Sequence, residues 1–161
     1  MKICITALLA CAALFFPVSA VSAFPADAPA WSLDAAGNLH IHAGQVTAKP
    51  LFIPLKAGET SMEIIAVRDR NGEIRAAFNT CRICNGAPRT YFVHQSKLFA
   101  PKGFVCQNCG NVFSAKQLGL QGNGCHPLAI PNLSTAVENI IIPADVLIAH
   151  TPFFRNWERG L

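Results

Sequence analysis

Apolar and polar positions alternate along parts of the chain with the period of a β-strand. Residues 39–42 read Leu-His-Ile-His, which predicts a half-buried strand. Residues 48–55 form a second apolar stretch. Pro50 and Pro54 limit this stretch to edge-like pieces, because proline donates no hydrogen bond to a sheet. These patterns favour a chain built mainly of short strands.

A hairpin is predicted around residues 69–72. The flanking residues 62–67 and 74–78 are rich in side chains that favour strands, and residues 69–72 read Asp-Arg-Asn-Gly. Asn-Gly is the preferred pair for a tight hairpin turn, because both residues tolerate positive φ. The second strand runs directly into Cys81, so we expect a rigid strand end to support that cysteine.

Further elements complete the predicted fold. They are a second strand pair at residues 89–93 and 98–105, a short helix from Ser114 to Leu118 that ends at Gly119, a closing strand at residues 137–142 and a helical turn at residues 143–147. The sequence therefore predicts a mainly β (α+β) fold. We expect one small domain of β-hairpins with one or two short helices.

The N-terminal residues have the composition of a secretory signal. Lys2 supplies a positive charge, residues 3–16 an apolar run, and residues 21–23 a Val-Ser-Ala cleavage site. Residues 3–23 are also about long enough to span a bilayer if they are not cleaved, since spanning takes roughly 20 apolar residues. We expect a periplasmic or other extracytoplasmic protein, either released by cleavage or anchored to the membrane by residues 3–23.

These assignments divide the chain into four parts. Residues 1–23 are the signal peptide or uncleaved anchor, residues 24–36 a linker, residues 37–150 the folded domain, and residues 151–161 a C-terminal tail whose aromatic side chains we expect to pack on the domain. The formal net charge of +4 is too small, and its basic residues too scattered, to indicate nucleic-acid binding. The acidic residues are also scattered, so no acid-base catalytic pair is predicted.

Four cysteines form two Cys-x-x-Cys pairs, the strongest chemical signal in the chain. Cys81 pairs with Cys84 and Cys106 with Cys109, and residues 85–105 separate the pairs. That spacing is close to the one at which two knuckles converge on one tetrahedral ion. Gly110 follows the second pair directly, where a knuckle needs a residue that tolerates positive φ. We therefore predict a thiolate site for a soft metal.

Cys125 would be surplus to a site of four thiolates. It could bind a second ion, exchange onto the first during transfer, or carry a redox change; the alternative is a thiol without a ligand role. His126, His40 and His42 are candidate secondary ligands. His40 and His42 share one face of the predicted strand and could chelate an ion, although a solvated pair is the alternative because no third donor is near in sequence.

Two other roles for the paired cysteines stay open. Structural disulfides would suit an oxidising compartment, and a reactive dithiol would make the protein a dithiol/disulfide oxidoreductase. Neither pair opens a long amphipathic helix, as a thioredoxin-type motif does. Haem attachment is not predicted, because Asn85 and Gly110 stand where it requires histidine.

Three segments together resemble the FtrD-like family of membrane iron-sulfur proteins. They are residues 75–86 (RAAFNTCRICNG), residues 105–113 (VCQNCGNVF) and residues 124–127 (GCHP), and the resemblance extends over roughly residues 38–147. It implies that Cys81, Cys84, Cys106, Cys109 and Cys125 are metal ligands. It also implies an iron or iron-sulfur cofactor and a role in bacterial iron transport, beside a membrane iron permease. His126 departs from the family, where many relatives have asparagine.

The residues themselves indicate only a soft metal, because thiolates suit iron, zinc and Cu(I). Lys2 is the only basic residue before the apolar run, so the twin-arginine signature is absent and a single ion acquired after export is chemically easier than a preassembled cluster. We expect an extracytoplasmic metal-binding protein that supports iron transport as a redox or carrier component. A structural zinc module is the alternative besides the oxidoreductase.

Overall fold

A computed structural model describes residues 29–96, 102–135 and 139–159. The predicted signal or anchor lies outside these residues. Within them the strands form three antiparallel sheets, which confirms the mainly β fold. None of the helices in these ranges has the length and apolar character needed to cross a bilayer.

The strands are short and are joined by turns and single helical turns. In chain order they are β1 (Trp31–Leu33), β2 (Leu39–His42), β3 (Leu51–Ala57), β4 (Thr60–Arg68), β5 (Ile74–Cys81), β6 (Phe92–Gln95), β7 (Gly103–Cys106), β8 (Val112–Phe113), β9 (Pro127–Ala129), β10 (Ser134–Thr135) and β11 (Asn139–Ile142). The helical segments are α1 (Ala144–Ala149) and the 3₁₀ turns Ala43–Gln45, Ala115–Gln117 and Thr151–Phe154. The strand orders in the sheets are β1-β2-β11-β10, β3-β4-β5-β9 and β6-β7-β8.

The predicted hairpin is present as β4 and β5, in register from Ile64 opposite Phe78 to Arg68 opposite Ile74. Its loop is longer than a two-residue turn, because Asp69 N–H donates to the Glu73 carbonyl at 2.8 Å. The Asp69 carboxylate accepts the backbone N–H groups of Asn71 and Glu73, which stabilises this wider loop.

The described fold includes residues on both sides of the predicted range 37–150. Trp31–Leu33, inside the range predicted as a linker, forms β1 and pairs with β2. In the predicted tail, Phe154 and Trp157 are buried in the larger of the two hydrophobic cores described below, as expected for aromatic side chains that pack on the domain. The ordered domain therefore extends beyond residues 37–150 at both ends.

The other predicted elements are found, with different bounds. The second strand pair is β6 with β7, and residues 97–101 between them lie outside the described ranges. The closing strand is β11, and α1 lies where the helical turn was predicted. The helix predicted from Ser114 is a single 3₁₀ turn, in which Ser114 N–H donates to the Gln117 side-chain oxygen at 2.8 Å.

Apolar side chains form two separate cores. The larger core packs the first two sheets against α1 and the C-terminal aromatic residues, and none of its members is a cysteine. The smaller core contains Phe92, Phe104 and Leu118 together with Cys81 and Cys106. The cysteine region therefore has its own apolar support, on the face of β4 and β5 opposite to the larger core.

A buried polar network fastens the C-terminal residues to β4 and β5. Arg159 donates to the Glu63 carboxylate at 2.6 Å, and the Asn79 side-chain amide donates to the same oxygen at 2.5 Å. The Arg159 guanidinium also stacks 4.4 Å from the centre of the Phe52 ring. Burial raises the pKa of Glu63, while Asn79 and Arg159 act in the opposite direction. The network places an ion pair where little solvent reaches it.

Candidate metal centre

Three strand ends from two different sheets bring the cysteines together. Cys81 ends β5, Cys106 ends β7, and Cys125 lies just before β9. Cys81 N–H donates to the Thr90 carbonyl at 2.8 Å, and Cys106 N–H donates to the Asn111 carbonyl at 2.9 Å. Because strand ends are held by their ladders, the backbone at these cysteines is fixed by the fold.

Hydrogen bonds beside the cysteines join the sheet that contains β5 to the segment that leads into β6 of the third sheet. Phe92 N–H donates to the Asn79 side-chain oxygen at 2.7 Å, and the hydroxyl oxygens of Thr80 and Thr90 lie 3.1 Å apart. Asn79 and Thr80 immediately precede Cys81 on β5. The relative position of the two Cys-x-x-Cys pairs is therefore set by buried hydrogen bonds.

Both knuckles turn back through glycine. Gly110 N–H donates to the Cys106 carbonyl at 2.9 Å, and Gly110 has a φ of 76°, as its place after Cys109 predicts. In the first knuckle Ala87 N–H donates to the Cys84 carbonyl at 3.1 Å, and Gly86 has a φ of 95°. The sequence expectation of two turned pairs at strand ends matches this geometry.

The five sulfur atoms fall into two groups of three. In the inner triad, the Sγ atoms of Cys81, Cys84 and Cys106 lie within 4.8 Å of one another. In the outer triad, the same holds for Cys84, Cys109 and Cys125. The Sγ atoms of Cys84 and Cys125 are 3.6 Å apart. The structure thus brings all five predicted cysteines together and includes Cys125, which the sequence treats as surplus.

Exposure increases from the inner to the outer triad. Cys81 and Cys106 are buried, Cys84 and Cys125 are partly buried, and Cys109 is exposed. All five are free thiols at these positions. The cluster therefore has a dry inner side and an outer side that solvent or a partner can reach.

The thiols of the inner triad share their protons unequally. The hydrogen bond from Cys106 lowers the pKa of Cys81 to about 5, and the same contact raises the pKa of Cys106. Cys81 is therefore the group that ionises first in this pair. A bound cation would allow both sulfur atoms to ionise, because it favours the charged form of each.

In the outer triad, too, the pKa values of the thiols are shifted in opposite directions. Burial raises the pKa of Cys84 and of Cys125. Burial acts in the same direction on Cys109, but hydrogen bonds from Asn111 N–H and from Cys106 outweigh it, and the pKa of Cys109 is lowered. Five crowded sulfur donors that cannot all ionise alone are the donor set that a soft metal cation requires. The residues present fit such a metal.

Asn108 is a functional neighbour that sequence reasoning missed. Its side-chain amide hydrogen-bonds to Cys84, which favours the thiolate form of that cysteine. An amide at an inner position of a Cys-x-x-Cys pair is the only sequence signal for this contact, and it is weak without the fold. Asn108 thus acts against the effect of burial on the pKa of Cys84.

The three predicted histidine ligands are engaged elsewhere. His126 is buried, with Nδ1 2.9 Å from the Pro127 carbonyl oxygen and Nε2 2.5 Å from the Gly122 carbonyl oxygen. Both ring nitrogens are thus occupied by carbonyl groups, so His126 acts as a support for the Cys125 loop. His40 contacts Asp34 at 2.9 Å and His42 contacts Asn139 at 2.7 Å. Neither belongs to a sulfur triad.

An open cleft of about 490 Å³ is lined by residues next in sequence to the cysteines. Arg82, which lies between Cys81 and Cys84 in sequence, and His150 are among its lining residues. The guanidinium Nη1 of Arg82 donates to the Gly122 carbonyl at 2.8 Å. The cleft therefore lies beside the loop that carries Cys125, with Arg82 as its charged lining residue.

In the reduced, metal-free protein we expect Cys109 to be alkylated first. It combines an exposed sulfur with a lowered pKa, whereas Cys81 has a lowered pKa but is buried and Cys125 has a raised pKa. Brief treatment with iodoacetamide at neutral pH, followed by peptide mass spectrometry, measures the order. Faster labelling of Cys81 than of Cys109 would contradict this site geometry.

The fold and the site define a small β domain with a cysteine-only cluster suited to a soft metal. A family model for "Membrane iron-sulfur containing protein FtrD-like" matches residues 47–154, which is more than half of the chain. The chain belongs to this FtrD-like family. No curated protein and no solved structure shows a significant match to the chain.

Proposed function

We propose that the five-cysteine cluster binds iron, and that the protein acts outside the cytoplasm as a redox or carrier component of a membrane iron-transport system. The observation that carries this proposal is the assembly of five sulfur atoms from three strand ends, with one of them exposed. The name of the family supports iron, in iron-sulfur form, and proximity to a membrane.

The separation of the two cores favours a functional metal over a structural one. A structural zinc site typically supplies much of the folding energy of its domain and is closed to solvent. Here the larger core contains no cysteine, and Cys109 is exposed. The domain can therefore keep its fold without metal, and the ion remains within reach of a partner.

The burial of the most acidic thiol also argues against a dithiol oxidoreductase. Such an enzyme needs a thiolate that is both favoured and accessible to an attacking substrate. Cys81 has the thiol whose pKa is lowered to about 5, but its side chain is fully buried. Cys109 is exposed and its pKa is lowered, but Cys106, the other cysteine of its pair, is buried, has a raised pKa and lies in the other triad. The inner cysteines are better suited to hold a metal ion, and the outer ones to exchange it or to pass charge.

The first test is the metal content of the native protein. The full chain, exported with its own N-terminal residues and purified anaerobically without reductant, is expected to contain iron by elemental analysis. Acid-labile sulfide distinguishes iron-sulfur from iron alone. A variant with Cys84→Ser, Cys106→Ser and Cys109→Ser, which removes ligands from both groups of cysteines, serves as control and should lose the metal. Zinc at one ion per chain, or no metal in the untreated protein, would overturn the proposal.

A second readout separates a functional ion from a structural one. After removal of the metal by a chelator under reducing conditions, we expect the β-sheet circular dichroism and a cooperative thermal transition to persist, because the larger core is independent of the cysteines. Loss of both signals on chelation would favour the structural zinc module. Cell fractionation and mass analysis of the mature N-terminus test the proposed location and the cleavage of residues 1–23.

A further inference from the structure

Both sulfur triads contain Cys84, and we infer that the cluster binds two metal ions bridged by the Cys84 thiolate. The inference rests on the proposed function, since it requires that these cysteines bind metal. It adds the number of ions and the particular role of one ligand. The distances between the sulfur atoms, and the division of the cysteines between the triads, indicate this arrangement.

Each triad has the size of a site for a single ion. With metal–sulfur distances of about 2.3 Å, two sulfur atoms on one tetrahedral ion lie about 3.8 Å apart, and on a trigonal ion about 4.0 Å apart. The sulfur atoms of each triad lie within 4.8 Å of one another, and those of Cys84 and Cys125 are 3.6 Å apart. Small side-chain movements would close either triad around an ion.

One ion does not account for all five sulfur atoms. Among the described cysteines, no set of four lies within the 4.8 Å that defines each triad. Cys106 and Cys109 belong to one Cys-x-x-Cys pair, yet they fall in different triads. A single tetrahedral ion bound by both pairs would have to draw these two sulfur atoms together and would leave Cys125 without a ligand role.

Two bridged ions would give every one of the five cysteines a ligand role within its own triad. Cys81 and Cys106 would be terminal ligands of the inner ion, and Cys109 and Cys125 terminal ligands of the outer ion. Cys84 is the one sulfur that both triads include, and a thiolate has more than one lone pair to share between two ions. Two divalent ions offset four of the five thiolate charges, whereas one ion offsets two. Partly buried charges favour the fuller compensation.

Cadmium is a suitable probe, because it is a soft divalent ion with affinity for thiolates. The reduced, metal-free protein is titrated anaerobically with isotopically enriched cadmium and followed by thiolate absorbance and by cadmium NMR. We expect two ions per chain and two cadmium resonances with mutual scalar coupling, which a shared sulfur atom transmits. The coupling is a property of the unmodified chain, so this reading does not depend on any variant.

Matched variants then assign the bridge. Cys84→Ser should abolish the coupling and lower the stoichiometry below two, while Cys125→Ser should keep one ion and one resonance from the inner triad. Cys106→Ser should keep only the outer ion. Thermal unfolding of each metal-free variant shows whether a loss of binding reflects a loss of fold.

The possible outcomes separate this inference from the proposed function. One cadmium ion per chain, or two resonances without coupling, would overturn the bridge while the metal-binding function stands. Native iron with an equal amount of inorganic sulfide would also support the proposed function and overturn a thiolate bridge. Failure of the native and metal-free proteins to bind any metal would overturn both.

Discussion

Replacing Gly103 with alanine is expected to lower the free energy of unfolding by about 2–6 kcal/mol and to weaken metal binding. A Cβ atom at this position would lie 2.4 Å from the Phe113 carbonyl oxygen, and Gly103 has a φ of 136°. The clash is with backbone of the neighbouring strand β8, so it cannot be relieved by rotation of a side chain. The strand that would shift is β7, which ends at Cys106.

Gly58→Ala is the matched control for this prediction. Gly58 also has positive φ, at 58°, but a Cβ atom there meets nothing within 4 Å. Its substitution should cost only the local backbone strain, about 1–2 kcal/mol, and should leave metal binding unchanged. Chemical denaturation and cadmium titration measure both effects. Equal losses in the two variants would show that β7 and β8 adapt to the added methyl group.

Replacing Arg159 with methionine is expected to destabilise the domain by about 3–5 kcal/mol at neutral pH, because it leaves the Glu63 carboxylate buried without its cationic partner. Methionine keeps much of the apolar length that packs near Phe52. The double variant with Glu63→Gln should recover part of the loss, since no charge is then left buried. A double variant no more stable than Arg159→Met would contradict the role assigned to this ion pair.

The same pair predicts a dependence on pH. Burial raises the pKa of Glu63 above its ordinary value of 4.5, so the native state holds this proton more tightly than the unfolded chain does. Stability from this group is therefore lost as pH rises from about 4.5 through the raised value. Removal of Arg159 raises the pKa further. The destabilisation by Arg159→Met should be larger at pH 8 than at pH 5.

The local elements were predictable because their signals are local. Asn71-Gly72 marks the hairpin, Ser114 marks the 3₁₀ turn, and Gly110 marks the exit of the second knuckle, and each depends on the conformation of a few neighbouring residues. The strand Trp31–Leu33 was not predicted, because it pairs with β2 and three residues carry too short a pattern to indicate it.

The arrangement within the site could not be derived from sequence in the same way. Spacing predicts that Cys106 and Cys109 act as one pair, yet they belong to different triads. The place of Cys125 depends on the pairing of β9 with β5, a contact between distant parts of the chain. His126, His40 and His42 were all candidate metal ligands from the sequence. Only the tertiary partners of His126 show that it supports a loop.

The ends of β5, β7 and β9 meet only after distant segments have paired. Before that, the chain offers isolated Cys-x-x-Cys pairs, which bind a soft ion far more weakly than five converging sulfur atoms do. Contacts between distant segments form late, because the entropy of closing the loops between them must be overcome first. The identity of the bound metal therefore depends on where the protein folds, because the full affinity of the site appears only in the compartment in which the sheets pair.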